Sequence, residues 1–192
     1  MISPRRAPNR SQLTHHPGQR VGIFIDVANL YHSAKNIYHG RVNYQELLKH
    51  LVGDRTLIRS MAYVVKSETS VGEASFFEAL TKAGLELRVK DLQVYTDGLK
   101  KGDWDVGIAI DAIRMSTFLD VIVLVTGDGD FLPLIDYLKF GLGRYVEVGA
   151  FRRSASGKLQ EAADRFVNLE EIPRIIIRKP RGELQAPLPP EE

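Results

Sequence analysis

Cysteine is absent from the 192 residues. Disulfides, thiolate zinc sites and thiol nucleophiles are excluded outright, and the chain suits a reducing compartment, so a cytoplasmic location is the expectation. No apolar run approaches the roughly 20 residues of a membrane span, and the basic amino-terminal stretch lacks the apolar segment of a secretory signal; no membrane partner is expected. No G-x-G-x-x-G follows the first apolar run, and "GDGDF" cannot imitate one, so the dinucleotide fingerprint is missing. A G-x-S-x-G serine elbow is missing too. Position 28 is Ala28, so Asp26 has no second aspartate two residues on, as an aspartyl-nucleophile phosphatase would need. "DGDFLPLIDYL" lacks the further oxygen ligands and closing Glu of an EF-hand.

What is present is ordinary for a soluble domain: 44% hydrophobic and 26% charged residues, enough length for one sizeable core. The net charge of +2 hides an asymmetry. Residues 1–20 carry Arg5, Arg6, Arg10 and Arg20 with no acid, leaving the remainder slightly acidic. With Pro4, Pro8 and Pro17, residues 1–19 read as a flexible basic arm, either a solvated tail or a holder of nucleic-acid phosphates. Residues 20–172 read as the folded domain, and from Pro173 to Glu192 the chain reads as a loose tail of Arg, Lys, Pro and Glu.

Within the domain, strands and helices alternate. "RVGIFID", "LIRSMAYVV", "LELRVK", "DVIVLV" and "RYVEVGAF" read as five strands. "NLYHSAKNIY", "NYQELLKHL" with Asn43 as N-cap, "GEASFFEALTKAG" ended by Gly84, "DWDVGIAIDAIRMSTF", "FLPLIDYLKFG" and "SGKLQEAADRF" read as helices. This alternation, with several strands apolar throughout, predicts an α/β fold: a mainly parallel five-stranded sheet with helices on both faces. Ligands of such sheets bind at the carboxyl ends of the strands, where strand order reverses. The residues there are Asp26 and Asn29, the "KSETS" segment, Thr126, Asp128 and Asp130, and Arg152, Arg153 and Lys158, with Asp105 in the first turn of a helix preceded by Lys100 and Lys101.

Carboxylates from separate segments thus converge on one rim. Two of them about 6 Å apart at an effective dielectric near 20 repel by roughly 3 kcal/mol, so either they splay into water or a cation sits between them. Oxygen donors without thiolates or clustered histidines favour Mg²⁺ or Mn²⁺ over zinc. A cation in an acidic cleft flanked by Lys and Arg suits attack of a metal-activated water on a phosphodiester.

"FIDVANL", "KKGDWDVGIAIDA" and "VTGDGDF", in this order, resemble the NYN domain, specifically its LabA-like branch within the PIN-like nuclease superfamily; the resemblance spans roughly residues 20–170. It implies a Rossmann-like (PIN-like) sheet carrying a metal-dependent endoribonuclease site. The motif positions fall on Asp26, Asn29, Asp105, Asp128 and Asp130, with Asp26, Asp105 and Asp128 as metal ligands. Val27 stands where many members have Gly. The branch also holds members whose role looks regulatory, so a non-catalytic RNA- or protein-binding module is the alternative.

Each residue has a plainer reading. Asp26 and Asp130 are placed to cap helices, and Asn29 to face solvent on a helix. Asp105 would favour a helix N-terminus by the dipole alone. Asp111 sits on an apolar stripe and reads first as an ion-pair partner of Arg114. Gly127 reads as a turn residue needing unusual backbone angles, and the Thr126 hydroxyl as a group that orients a water. Lys100, Lys101, Arg152, Arg153 and Lys158 form a candidate phosphate track or are merely solvated. Tyr31, Tyr95 and Phe151 are either base-stacking or core. His32 reads as a helix-face residue. Apolar residues of the last helix and of "IIIRKP" are candidates for a homodimer contact, without identifying an interface.

Overall fold

The computed structural model describes residues 16–66, 72–94, 100–101 and 103–178. Most of the basic arm, most of "KSETS", Tyr95 and the last part of the tail lie outside the described residues, as do the side chains of Lys100 and Lys101.

Apolar runs become strands wherever both faces are covered. β1 (Arg20–Asp26) leads into α1 (Val27–Tyr38), a short β2 (Gly40–Val42) and α2 (Tyr44–Val52). β3 (Thr56–Lys66), α3 (Glu73–Lys82) and β4 (Glu86–Asp91) follow, then a two-residue pair, β5 (Gln93–Val94) and β6 (Lys100–Lys101). The chain continues with α4 (Asp105–Met115), β7 (Val121–Val125), α5 (Leu132–Asp136), β8 (Tyr145–Ala150), α6 (Gly157–Ala162), β9 (Arg165–Asn168) and β10 (Ile176–Arg178). Asn43 caps α2 through its Oδ1, which accepts from the Glu46 N–H at 3.3 Å. Gly84, at φ +95°, turns the chain out of α3.

The main sheet has six strands in the order β4-β3-β1-β7-β8-β9, every neighbouring pair parallel. The expected five-stranded sheet is thus corrected to six. The segment "SGKLQEAADRF" does not stay helical to Phe166. Ala163 turns extended, with ψ 149°, and Asp164 docks on the sheet edge in both directions: its N–H donates to Val146 O at 2.9 Å and its Oδ2 accepts from Val146 N–H at 2.9 Å. Four residues of mixed polarity then pair with β8. A second adjustment concerns the stretch read as a loose tail, because β10 pairs antiparallel with β2. Gly40 permits the close approach: a Cβ there would lie 2.9 Å from the Ile177 carbonyl oxygen.

Two cores result. Leu30 and Ala34 of α1, Leu47, Leu48 and Leu51 of α2, and Leu80 of α3 pack on Ile23, Ile25, Val123 and Val125. Ile108, Ala112 and Met115 of α4, Leu134 and Ile135 of α5, and Leu159 of α6 pack on Phe24, Met61, Ile122, Leu124 and Val148. Among the described residues no helix is long and apolar enough to cross a membrane.

Strand order reverses between β1 and β7, so their carboxyl ends open the crevice that such sheets use for ligands. The opposite rim is clamped. Arg20 grips Asp120 through Nε (3.0 Å) and Nη2 (2.8 Å), and its backbone N–H donates to Asp120 Oδ2 at 2.8 Å. Arg20's side-chain hydrogen bonds are the main cause that lowers the Asp120 carboxyl to about 2. A carboxyl lowered by folding stabilises the native state above its ordinary value of 3.8, and that contribution drains away as pH falls through 3.8 toward 2. Melting measured at pH 4 and at pH 2 is therefore expected to drop further in the wild type than in Asp120→Asn.

Candidate metal centre

Asp26 ends β1, and the chain turns directly into α1. Its Oδ1 accepts from the Asn29 N–H at 3.1 Å, so the capping reading holds. Its Oδ2 accepts from the Thr126 hydroxyl at 3.2 Å, across the reversal point from the end of β7. Thr126 Oγ1 in turn accepts from the Asp128 N–H at 3.2 Å. Asn29 bridges the same gap, its Oδ1 accepting from the Gly127 N–H at 2.9 Å. Asp26, Asn29 and Thr126 therefore tie the ends of two neighbouring strands into one frame.

Asp128 is the cap of the short turn that follows, its Oδ1 accepting from the Asp130 N–H at 2.9 Å. Asp130, expected to cap the helix that comes next, does not: α5 has no side-chain cap, and Asp128 caps only the turn before it. Gly127 is also different in kind from the expectation. Its φ lies outside the left-handed region, and what it provides is space: a Cβ would lie 3.0 Å from Ser154 O and 3.1 Å from Ala155 Cα. The loop after β8 thus rests directly on the turn, held by the Ser156 N–H donating to Gly127 O at 3.0 Å.

Asp105 opens α4, which has no side-chain cap. The neighbouring Trp104 anchors that helix start: its indole N–H donates to Val64 O at 2.8 Å, the Lys90 ammonium sits 4.9 Å from the ring centroid, and the ring meets Tyr63 edge-on. A Cβ at Gly107 would lie 2.5 Å from Trp104 Cε3, so only glycine lets the indole lie across the first turn. The helix start is thereby fixed over the carboxyl end of β3.

These elements bring Asp105, Asp128 and Asp130 together, with one carboxylate oxygen from each lying within 4.8 Å of the others. Asp26 is not one of that triple and stands behind it. Its carboxyl is raised, first by burial and then, against three hydrogen-bond donors, by the charge of Asp128. Asp105 is raised as well, by burial first and then by Asp26, Asp103, Asp128 and Asp130. Three carboxylate oxygens this close together, one of them from an Asp105 that burial and neighbouring charges push toward its neutral form, are the donor set a hard divalent cation fits.

Other expected residues fall elsewhere. Asp111 is buried and accepts from the Tyr63 hydroxyl at 3.0 Å, with Arg88 Nε at 3.4 Å and Arg114 Nη1 at 4.0 Å. The ion-pair reading stands, with Arg88 nearer than the expected Arg114. Phe151 is fully buried beside Tyr38, so it belongs to the core and not to a stacking surface. Tyr31 and His32 are exposed on α1. Arg152, Arg153 and Lys158 are exposed after β8, with the Arg152 guanidinium 5.7 Å from the centre of the Phe166 ring. Sequence reasoning passed over Asp103, although it stands in "KKGDWD", and over Ser154 and Ser156, whose signal was a run of small residues at a strand's carboxyl end.

Comparison with known proteins agrees with this fold. The NYN domain matches residues 20–170. The chain is 28% identical over 117 residues to the low amplitude and bright protein LabA of Synechococcus elongatus, a match covering 58% of this chain and 62% of LabA; it thus spans less than two thirds of that relative. A crystal structure of a protein of unknown function from Vibrio parahaemolyticus superposes with a TM-score of 0.77 at 28% identity, covering 85% of this chain and 99% of the other. With the family matched over nearly the whole described domain, the chain belongs to the NYN domain family of the PIN-like nuclease superfamily.

Proposed function

We propose that this protein is a Mg²⁺- or Mn²⁺-dependent endoribonuclease. The observation that carries the reading is the convergence of Asp105, Asp128 and Asp130 at the point where strand order reverses. These three would hold the cation, and Asp26, backing them, would set their spacing through Thr126. A divalent cation there supplies charge neutralisation at phosphorus and a water of lowered pKa. The chain's own part is positional. Asn29 and Thr126 keep the Gly127–Asp128 turn from moving. The exposed Arg152, Arg153 and Lys158, with Lys100 and Lys101, would draw in the phosphate backbone. The basic arm of residues 1–19 would add sequence-independent affinity. A reducing, cytoplasmic setting suits a chain without cysteine.

Water, and not the ribose 2′-hydroxyl, would be the nucleophile, so products should carry 5′-phosphate and 3′-hydroxyl ends. The test is cleavage of single-stranded RNA by purified protein with Mn²⁺, with EDTA, and by Asp128→Asn. Cleavage that EDTA and the substitution both abolish is expected. Equal cleavage by wild type and variant would trace the activity to a contaminant and end the proposal. The slight net acidity of residues 21–192 favours a second reading, a regulatory module that binds RNA or protein without turnover. Bound but uncut RNA in the same assay would select it.

A further inference from the structure

A groove of about 340 Å³ runs away from the acidic triple between α4 and α5. Asp105 and Asp130 stand at its mouth, and Val106, Ala109, Pro133 and Tyr137 form much of its lining. The geometry points to this groove as the seat of one unpaired nucleobase of the RNA strand, next to the phosphate at the carboxylates. The inference rests on the nuclease reading above and extends it to a specificity-determining surface.

Charge selects the occupant. Among the described residues the lining contains no lysine or arginine, and its mouth carries two carboxylates, so the groove itself offers a phosphate no counter-charge. A flat neutral ring needs none. Its volume sits at the small end of ligand sites, which run from about 300 to 1,000 Å³, so it holds one ring system and not a helix. Tyr137 supplies a fixed platform: it begins a π-helical turn, Tyr137–Gly141, and its ring lies on Gly141, where a Cβ would come within 3.0 Å of Cδ2. Tyr137 is still 49% exposed and Val106, which shares the lining, 69% exposed, so this aromatic rests on the chain and stays open to a ligand. A second copy of the chain is the rival occupant. A standard interface buries about 800 Å² per partner, and one centred here would cover Asp105 and Asp130 and shut the site.

A base seated there must be out of a duplex, and stacking reads a π-face and not an edge, so the subsite requires single-stranded RNA and tolerates any base. The experiment is steady-state cleavage of a short single-stranded RNA with Mn²⁺, with an abasic position walked along the strand. Tyr137→Ala is expected to raise KM roughly 5- to 100-fold with kcat nearly unchanged, and Tyr137→Phe to match wild type. One abasic position beside the cut should raise the wild-type KM by a similar factor and add nothing in Tyr137→Ala. Val106→Glu, at an exposed helical position, should reproduce the KM effect without touching the Tyr137 platform. Cleavage by wild type with an unchanged KM in both variants overturns the subsite and leaves the nuclease standing. No cleavage by wild type removes the nuclease reading and this inference with it. A dimer that Tyr137→Ala converts to monomer assigns the groove to a second copy and overturns it.

Discussion

Asp105→Asn is expected to cut RNA cleavage at least about a hundredfold while raising the melting temperature measured in EDTA. The two effects have one cause. Burial and the charges of Asp26, Asp103, Asp128 and Asp130 already push the Asp105 carboxyl upward, which means the native state resists its ionisation. A carboxyl raised by folding destabilises the native state once pH climbs above its ordinary value of 3.8. Asparagine keeps the shape and removes the charge, so the metal-free protein gains. The same charge is what a cation would be held by. Losing one of three ligands forfeits part of the several kcal/mol that a bound metal contributes to the transition state, at about 1.4 kcal/mol per tenfold in rate. Added Mg²⁺ should therefore raise the melting temperature of wild type more than that of the variant. Asp111→Ala is the contrast: it removes the acceptor of the Tyr63 hydroxyl and the partner of Arg88 and should lower stability with or without metal. A metal-free Asp105→Asn that melts below wild type would make Asp105 a structural residue.

Glu147→Ala is expected to destabilise the protein by about 3–5 kcal/mol, because it strands a buried guanidinium. Arg55 and Glu147 side chains are both 0% exposed and meet in a two-point contact, Nη1 to Oε1 at 2.8 Å and Nη2 to Oε2 at 3.1 Å. The Leu51 and Val52 carbonyls at the end of α2 accept from the same guanidinium. Arg165 approaches Glu147 Oε1 at 3.5 Å. Removing the carboxylate leaves Arg55 only those carbonyls. At about 2–4 °C per kcal/mol for a chain of this size, the melting temperature should fall by roughly 6–20 °C. The double variant Arg55→Leu/Glu147→Leu removes both charges, and replacing a whole buried pair is often close to neutral. It should recover most of the loss, and a double variant as unstable as Glu147→Ala would show that the cost lies in packing.

Neither the pair nor its weight is legible in the sequence. "RYVEVGAF" alternates as a half-exposed strand would, with Glu147 in a solvent position, and its partner lies 92 residues earlier in the chain. Strands β1 and β7 are legible because both their faces are buried and the composition records it. β9 is not: it is short and of mixed polarity, and its pairing depends on Asp164 reaching the neighbouring strand. The convergence of acids on one rim follows from topology, since each lies near a strand end. Which three meet does not, because that depends on Trp104 anchoring α4 and on Asp128 closing the turn by accepting from the Asp130 N–H. Gly127 likewise conceals its reason until the loop carrying Ser154 and Ala155 is placed on top of it.

The little ribbon of β2 and β10 has a bearing on biosynthesis. Residue 40 finds its partner at residue 178, and the Asn43 N–H donates to Ile175 O at 2.7 Å. At about 5–20 residues per second, the ribosome takes several seconds or more to deliver the second half of that hydrogen-bonded strip. Until then the segment between α1 and α2 hangs without its cover, and a quality-control protease would find it there.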